Sequence, residues 1–123
     1  MDGLKYLVEN CASLWTAEYE RKVINILKNW EYGKRKEREE YHLREKYHIQ
    51  NFTGIEKIIL KRNSRIMATK ESVIEIIKNV HESIGHKGER KTYQKICENY
   101  AKITRKIIEE YIRQCERCNN NDD

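Results

Sequence analysis

The sequence predicts a mainly all-α protein, in which a second half of three helices follows a helical N-terminal extension. Two observations predict this fold class. Apolar residues recur at intervals of three and four in most segments, which is the period of a helix with one buried face. Proline is absent and only five glycines occur among the 123 residues, so few residues interrupt the helices. The chain is 38% hydrophobic and 37% charged, so we expect a small core that gains stability from a bound metal.

The first part of the chain is predicted to contain two helices and one ambiguous segment. The first helix begins at Ser13 or Thr16, either of which can cap it, and ends near Gly33. The second covers about 34–49, where Glu and Lys or Arg residues are spaced four apart. The segment 55–69 contains two short apolar runs. These runs are compatible with a short β-hairpin or with a helix and a turn.

Three helices are predicted in the second half. Thr69 can cap the first, the second covers about 89–100, and Thr104 can cap the third. Gly85 separates the first helix from the second. The predicted organisation is a helical extension, a helical metal-binding domain and a disordered polar tail, which cover 1–68, 69–118 and 119–123.

The charge of the chain permits nucleic-acid binding without requiring it. Lys and Arg number 25 against 20 Asp and Glu, which gives a formal net charge of +5. The two signs are interspersed, as on a solvated helical surface. The N-terminus lacks the pattern of a signal peptide, and no apolar run approaches the roughly 18 residues of a membrane span. We therefore expect an intracellular protein whose four cysteines are reduced and serve as metal ligands or core thiols.

Four potential metal ligands lie in two close pairs, His81 with His86 and Cys115 with Cys118. Two imidazoles and two thiolates form the closed tetrahedral set that structural Zn²⁺ prefers. Side chains five residues apart point roughly 140° apart on an unbroken helix, so the two histidines need a break between them. Gly85 provides this break, because a glycine just past a helix end terminates it. We predict one structural zinc ion bound by all four residues.

The spacing excludes the zinc enzymes that it superficially suggests. HESIGH has one residue more than the HExxH of zinc proteases, which also keep an open coordination position. A nucleic-acid deaminase requires H-x-E and P-C-x-x-C, whereas Glu82 directly follows His81 and Gln114 precedes Cys115. The competing interpretation is that the histidines and cysteines are unrelated, ordinary residues.

The ligand spacing and its surroundings resemble a known family. His-x4-His followed after 28 residues by Cys-x2-Cys is similar to the HHCC (H2C2) zinc-binding domain at the N-terminus of retroviral and Ty3/gypsy-type integrases. The segment GHKGERKT, residues 85–92, resembles that family's GHxGxxKT segment. Residues 98–118 resemble the part in which an aromatic residue precedes a helix that ends in C-x2-C. The resemblance is strongest to integrase-like sequences of domesticated genes and DNA transposons.

This resemblance implies a three-helix, helix-turn-helix-like bundle that binds zinc, supports multimerisation of integrase subunits and contacts DNA ends. We therefore predict a non-catalytic, nuclear module whose partners are DNA and either further copies of the chain or full-length integrase subunits, with no small-molecule substrate. The family's catalytic Asp, Asp and Glu are not found, so we expect no enzymatic activity. The alternative is a domesticated protein-interaction or dimerisation module that does not bind DNA.

Basic residues around the second and third helices of the predicted domain are the candidate DNA contacts. Such residues would reach phosphates and give salt-dependent binding of low sequence specificity. The alternative for each of them is an ordinary solvated charge. The candidates are Lys87, Arg90, Lys91, Lys95, Lys102, Arg105 and Lys106.

Overall fold

A computed structural model describes residues 2–31 and 33–115 of the chain. The helices of this part are α1 (Asp2–Glu9), α2 (Ala17–Lys28), α3 (Arg38–Lys46), α4 (Val73–Ser83), α5 (Glu89–Asn99) and α6 (Arg105–Arg113). The strands are β1 (Tyr47–Phe52), β2 (Ile55–Leu60), β3 (Ile66–Met67) and β4 (Tyr100–Ala101). Among the described residues, no helix has the length and apolar character needed to cross a membrane.

The predicted all-α fold is wrong, because the chain also contains a four-stranded mixed sheet with the order β1-β2-β3-β4. β1 and β2 form an antiparallel hairpin from the pair Tyr47↔Leu60 to the pair Phe52↔Ile55. β3 pairs antiparallel with β2 and parallel with β4. The sheet therefore joins the N-terminal extension to the segment between α5 and α6.

The helix predicted over 34–49 is too long for a physical reason that the local sequence does not reveal. The helix predicted over 34–49 is shortened to α3, and its last residues become β1. Tyr47 and Ile49 are residue types that fit a pleated, half-buried surface, and pairing with the isoleucine-rich β2 outweighs the helical charge pattern before them. Of the two alternatives for 55–69, the hairpin is observed, because Ile59 pairs with Ile66.

Side-chain capping fixes the start of two helices as the sequence predicts. The Thr16 hydroxyl oxygen accepts a hydrogen bond from Tyr19 N at 3.0 Å, and Thr104 accepts one from Ile107 N at 3.3 Å. Thr69 does not cap α4, since the N-cap is Ser72. The Thr69 hydroxyl instead accepts a hydrogen bond from Ser72 N at 3.2 Å, in a turn before the helix.

Two hydrophobic clusters form the interior. The cluster that we call the helical core packs α1 onto α4, α5 and α6, and comprises Leu4, Val8, Leu14, Ala68, Val73, Ile77, Ile96, Ile103, Ile107 and Ile108. The second, the sheet core, lies between α2, α3 and the sheet, and comprises Val23, Leu43, Ile58, Met67 and Ala101. Both cores contain residues from either side of Ala68, so packing crosses the predicted boundary, and that division of the chain stays a prediction.

Candidate metal centre

The C-terminal end of α4 brings the two histidines together. Gly85 has a φ of +75° and occupies the position just past the helix, where glycine is favoured. Its N–H donates to Glu82 O at 3.1 Å, and the next residue, His86, donates its N–H to His81 O at 2.9 Å. These are the two hydrogen bonds of a Schellman motif. The ring centroids of His81 and His86 lie 4.7 Å apart, so the predicted role of Gly85 is confirmed.

His86 itself adopts a left-handed backbone, with a φ of +59°. A residue with a β-carbon is rarely found there, and the conformation costs roughly 1–2 kcal/mol. Strain of this kind persists where the surrounding structure and the function of the residue require it. The imidazole of His86 is therefore held in place by the turn rather than by helix geometry.

The third candidate ligand approaches from the end of α6. Cys115 follows the helix, and its N–H donates to Ile112 O at 3.0 Å, which continues the helical turn. Its Sγ lies 3.6 Å from Nδ1 of His86. One ligand atom each from His81, His86 and Cys115 lies within 4.8 Å of the others. Cys118, the fourth predicted ligand, lies outside the described residues.

These separations fit a zinc ion. Zinc–sulfur and zinc–nitrogen bonds at a tetrahedral angle place the two ligand atoms about 3.6 Å apart. The observed distance between Cys115 Sγ and His86 Nδ1 is 3.6 Å. Two imidazoles and a thiol are also the donor types that zinc prefers. The cluster is therefore compatible with zinc in both geometry and chemistry.

Thr92 on α5 orients the ring of His81, and both side chains are fully buried. The Thr92 hydroxyl donates to Lys87 O at 3.2 Å. Because a hydroxyl has one proton, its oxygen accepts the second hydrogen bond, which comes from Nδ1–H of His81 at 3.2 Å. This tautomer leaves the lone pair of His81 on Nε2, as in metal sites where a second partner orients the ligand.

The electrostatic environment keeps His81 in the form that binds metal. Burial lowers the pKa of His81, and the neighbouring His86 lowers this pKa further, whereas Glu82 opposes both. The neutral imidazole therefore dominates at neutral pH, and metal binding requires this form. The ring of Tyr111 packs edge-on against that of His81, with centroids 5.9 Å apart.

Sequence reasoning missed Thr92 as a part of this site. Its signal was present, because Thr92 is the final residue of the GHKGERKT segment. The composition of that segment, however, does not reveal which group a threonine contacts. The contact with His81 becomes visible only once α5 is packed against α4.

The candidate DNA contacts have different surroundings. Arg105 Nε pairs with Glu89 Oε1 at 2.9 Å, and Lys95 Nζ pairs with Glu98 Oε2 at 3.1 Å. Their charges are therefore partly offset. The remaining candidates are exposed, and they are Lys87, Arg90, Lys91, Lys102 and Lys106.

Comparison with known proteins supports the sequence resemblance. Residues 68–123 match the family described as the integrase zinc binding domain, and this match includes both predicted ligand pairs. The human KRAB-A domain-containing protein 2 is 29% identical over 93 residues, which is 72% of this chain and 19% of the relative. The chain thus spans about a fifth of that relative's length. No solved structure matches the chain.

Proposed function

We propose, on the premise that residues 68–123 match the integrase zinc binding domain family, that the chain is a zinc-stabilised DNA-binding and assembly module of an integrase-like nuclear protein. The observation that carries the proposal is the convergence of His81, His86 and Cys115 from the ends of two helices. Cys115 lies 29 residues from His86, so a bound ion would link the end of α4 to the end of α6.

The proposed site binds one ion through four ligands, with Cys118 as the fourth. Cys118 follows Cys115 by three residues, which is the spacing of thiolate pairs in structural zinc sites. Two thiolates balance the charge of the ion, and four protein ligands leave no open position for a substrate. The ion would serve as a structural cross-link, and Thr92 would hold His81 in the tautomer that binds it.

Measurement of bound zinc tests this site. The wild-type protein should contain one zinc ion per chain by native mass spectrometry, and Cys118→Ser should bind zinc far more weakly. Cys11→Ser is the matched control, because Cys11 is half-buried against the helical core and its Sγ contacts Ser13 Oγ at 3.2 Å. Unchanged zinc affinity in Cys118→Ser would show that the fourth ligand is wrong.

DNA binding is supported by the exposed cations of the zinc-binding half and by the premise above. We expect a short duplex of mixed sequence to bind at low salt, with an affinity that falls linearly with the logarithm of the salt concentration. Fluorescence anisotropy across a salt series measures both quantities. Absence of binding to any duplex at low salt would overturn the DNA-binding part of the proposal.

The assembly part, and the alternative of a protein-interaction module, are favoured by the tip of the β1–β2 hairpin. Phe52 and Ile55 pair across this tip, and they are 36% and 59% exposed. Apolar side chains at an exposed tip fit a protein contact. Sedimentation of the wild type and of Phe52→Ser should show weaker self-association in the variant. A wild type that remains monomeric at all concentrations would contradict the assembly part.

A further inference from the structure

An open groove, which we call the junction groove, lies where the part of the chain from α2 to β3 (the hairpin half) meets the part from α4 to α6 (the zinc-binding half). One wall is the turn between β2 and β3, which contributes Arg62 and Arg65, and the other is the corner between β4 and α6, which contributes Lys102 and Arg105. The groove encloses about 410 Å³, and none of its lining residues is acidic. Four cations from two distant parts of the chain thus line one concave surface.

The positive surface continues beyond this groove. An adjoining depression of about 450 Å³ shares Arg62 and Lys102 with it, and its other charged lining residues are Glu45, Lys46 and Lys61. Together the two depressions contain six cations and one carboxylate, and Glu89, which pairs with Arg105 at 2.9 Å, reduces their formal charge to +4. The whole chain has a formal net charge of +5. Most of the formal excess of positive charge therefore lies at these two depressions.

The backbone of Lys102 is strained at this surface. Its φ is +74°. Glycine adopts this left-handed region readily, whereas a residue with a β-carbon adopts it only at a cost in free energy. The hydroxyl of Ser13 donates a hydrogen bond to Lys102 O at 3.2 Å, which helps to hold this conformation. Glycine would fit this backbone better, so a substitution of Lys102 by glycine removes the cation without adding strain.

The two walls are close enough for their cations to act on the same group. The hydrogen bond to Cys97 raises the pKa of Tyr93, and the charges of Arg105 and Arg65 oppose this rise. The guanidinium of Arg105 lies 5.1 Å from the centre of the Tyr93 ring. Arginines from both halves thus act on one side chain in the floor of the groove.

We propose that the junction groove and its adjoining depression bind the phosphate backbone of duplex DNA, with cations from both halves of the chain. The inference rests on the proposed DNA-binding function and places the DNA on a surface that includes the hairpin. Several cations along an open surface, most of them exposed, suit a polyanion that passes across it. A small phosphorylated ligand would instead require a pocket closed enough to bury most of its surface, whereas this groove is open.

The inference is tested by removing charge from the groove without removing any residue of the interior. The triple variant Arg62→Gln, Arg65→Gln and Lys102→Gln should lose at least about tenfold in affinity for the duplex, and its log–log salt slope should fall by about 2.7, because each phosphate contact contributes about 0.9. The control variant Arg21→Gln, Lys22→Gln and Lys78→Gln removes the same charge from exposed positions elsewhere and should keep the wild-type slope.

Lys102→Gly separates binding from folding. This substitution removes one cation and relieves the left-handed strain, so the protein should melt at a higher temperature while it binds DNA more weakly. Loss of affinity caused by damage to the fold would lower both quantities. If Lys102→Gly binds DNA as tightly as the wild type, Lys102 is not a contact and the inference is overturned.

The other outcomes distinguish this inference from the function on which it rests. If the wild type binds DNA and the triple variant keeps its affinity and slope, the DNA lies elsewhere, so the inference fails and the proposed function stands. If the wild type binds no duplex, the proposed DNA binding itself fails. If polyglutamate competes as well as duplex DNA of equal charge, the groove accepts acidic protein, which overturns the choice of DNA.

Discussion

The helical core and the sheet core are stabilised in different ways. Among the described residues, the helical core has ten buried apolar residues and the sheet core has five. Burial alone would make the helical half the more independent of the two. Yet the ends of α4 and α6 meet through polar candidate ligands. The sheet core, by contrast, is extended by paired strands and by Trp15, whose ring centroid lies 4.9 Å from that of Tyr47. The half with more buried apolar surface is the one that we expect to need a metal.

Removal of metal should have the largest effect and should separate the two halves. A strong chelator at neutral pH should remove stabilisation on the order of 10 kcal/mol and lower the helical circular dichroism. Both tryptophans, Trp15 and Trp30, lie in the first part of the chain, so their fluorescence reports on the sheet core. Helix loss with unchanged emission is expected. Unchanged circular dichroism would contradict the metal centre, and simultaneous loss of both signals would show one cooperative unit.

A cavity in the sheet core should have the next largest effect. Ile58→Ala removes a side chain that is 0% exposed, and truncation of a buried isoleucine costs about 2–5 kcal/mol. Zinc content should be unchanged, since Ile58 belongs to the other core. Ile55→Ala is the matched control on the same strand, because Ile55 is 59% exposed and should change stability by less than about 0.5 kcal/mol. Urea unfolding followed by tryptophan fluorescence measures both variants.

Loss of the Thr92 hydroxyl should weaken metal binding without creating a cavity in the core. Thr92→Val keeps the shape of the side chain and removes the acceptor for Nδ1–H of His81. Substitution of a residue that orients a metal ligand through a hydrogen bond typically lowers metal affinity about 10–100-fold. Thr92→Ser retains the hydroxyl and should retain most of the affinity. Titration with Co²⁺, followed by its visible absorption, measures the difference, and equal affinities in Val and Ser variants would exclude the orienting role.

The smallest effect is expected from Gly85. Gly85→Ala places a β-carbon at a φ of +75°, which costs roughly 1–2 kcal/mol and should weaken the turn between His81 and His86. No atom lies within 4 Å of the added β-carbon, so the cost comes from the backbone and not from a clash. Gly85→Asn should cost less, because asparagine tolerates this conformation. Thermal unfolding of both variants in excess zinc would reveal the order, and an alanine variant as stable as wild type would contradict the argument.

The parts of the site that the sequence predicts are those set by nearby residues. His81 and His86 were identified because their residue type, their spacing and Gly85 all belong to one short segment. The hydrogen bond that His81 donates to Thr92 is not predicted, because it depends on the packing of α5 against α4. Arg62 and Arg65 were missed as part of the basic surface for the same kind of reason, since only the tertiary fold brings them to Lys102.

The prediction of the fold class is wrong where pairing between distant segments decides the structure. The charge pattern up to Lys46 is helical in both sequence and structure. Tyr47 and Ile49 continue that pattern locally, but their partners in β2 lie beyond the hairpin turn. β4 has only two residues, which pair in parallel with the two residues of β3. No local periodicity predicts a strand of that length.

The parallel pairing of Ile66 with Tyr100 and of Met67 with Ala101 has a consequence for any attempt to isolate the zinc-binding domain. A protein that begins at Thr69 lacks β3, so the N–H and C=O groups of β4 lose their partners and form an open sheet edge. Such an edge can pair with another chain. The truncated protein would also lose α1, which packs with Ile107 and Ile108 in the helical core. Oligomers of that truncated protein would therefore report the exposed edge and core, and only the longer chain can reveal how native subunits associate.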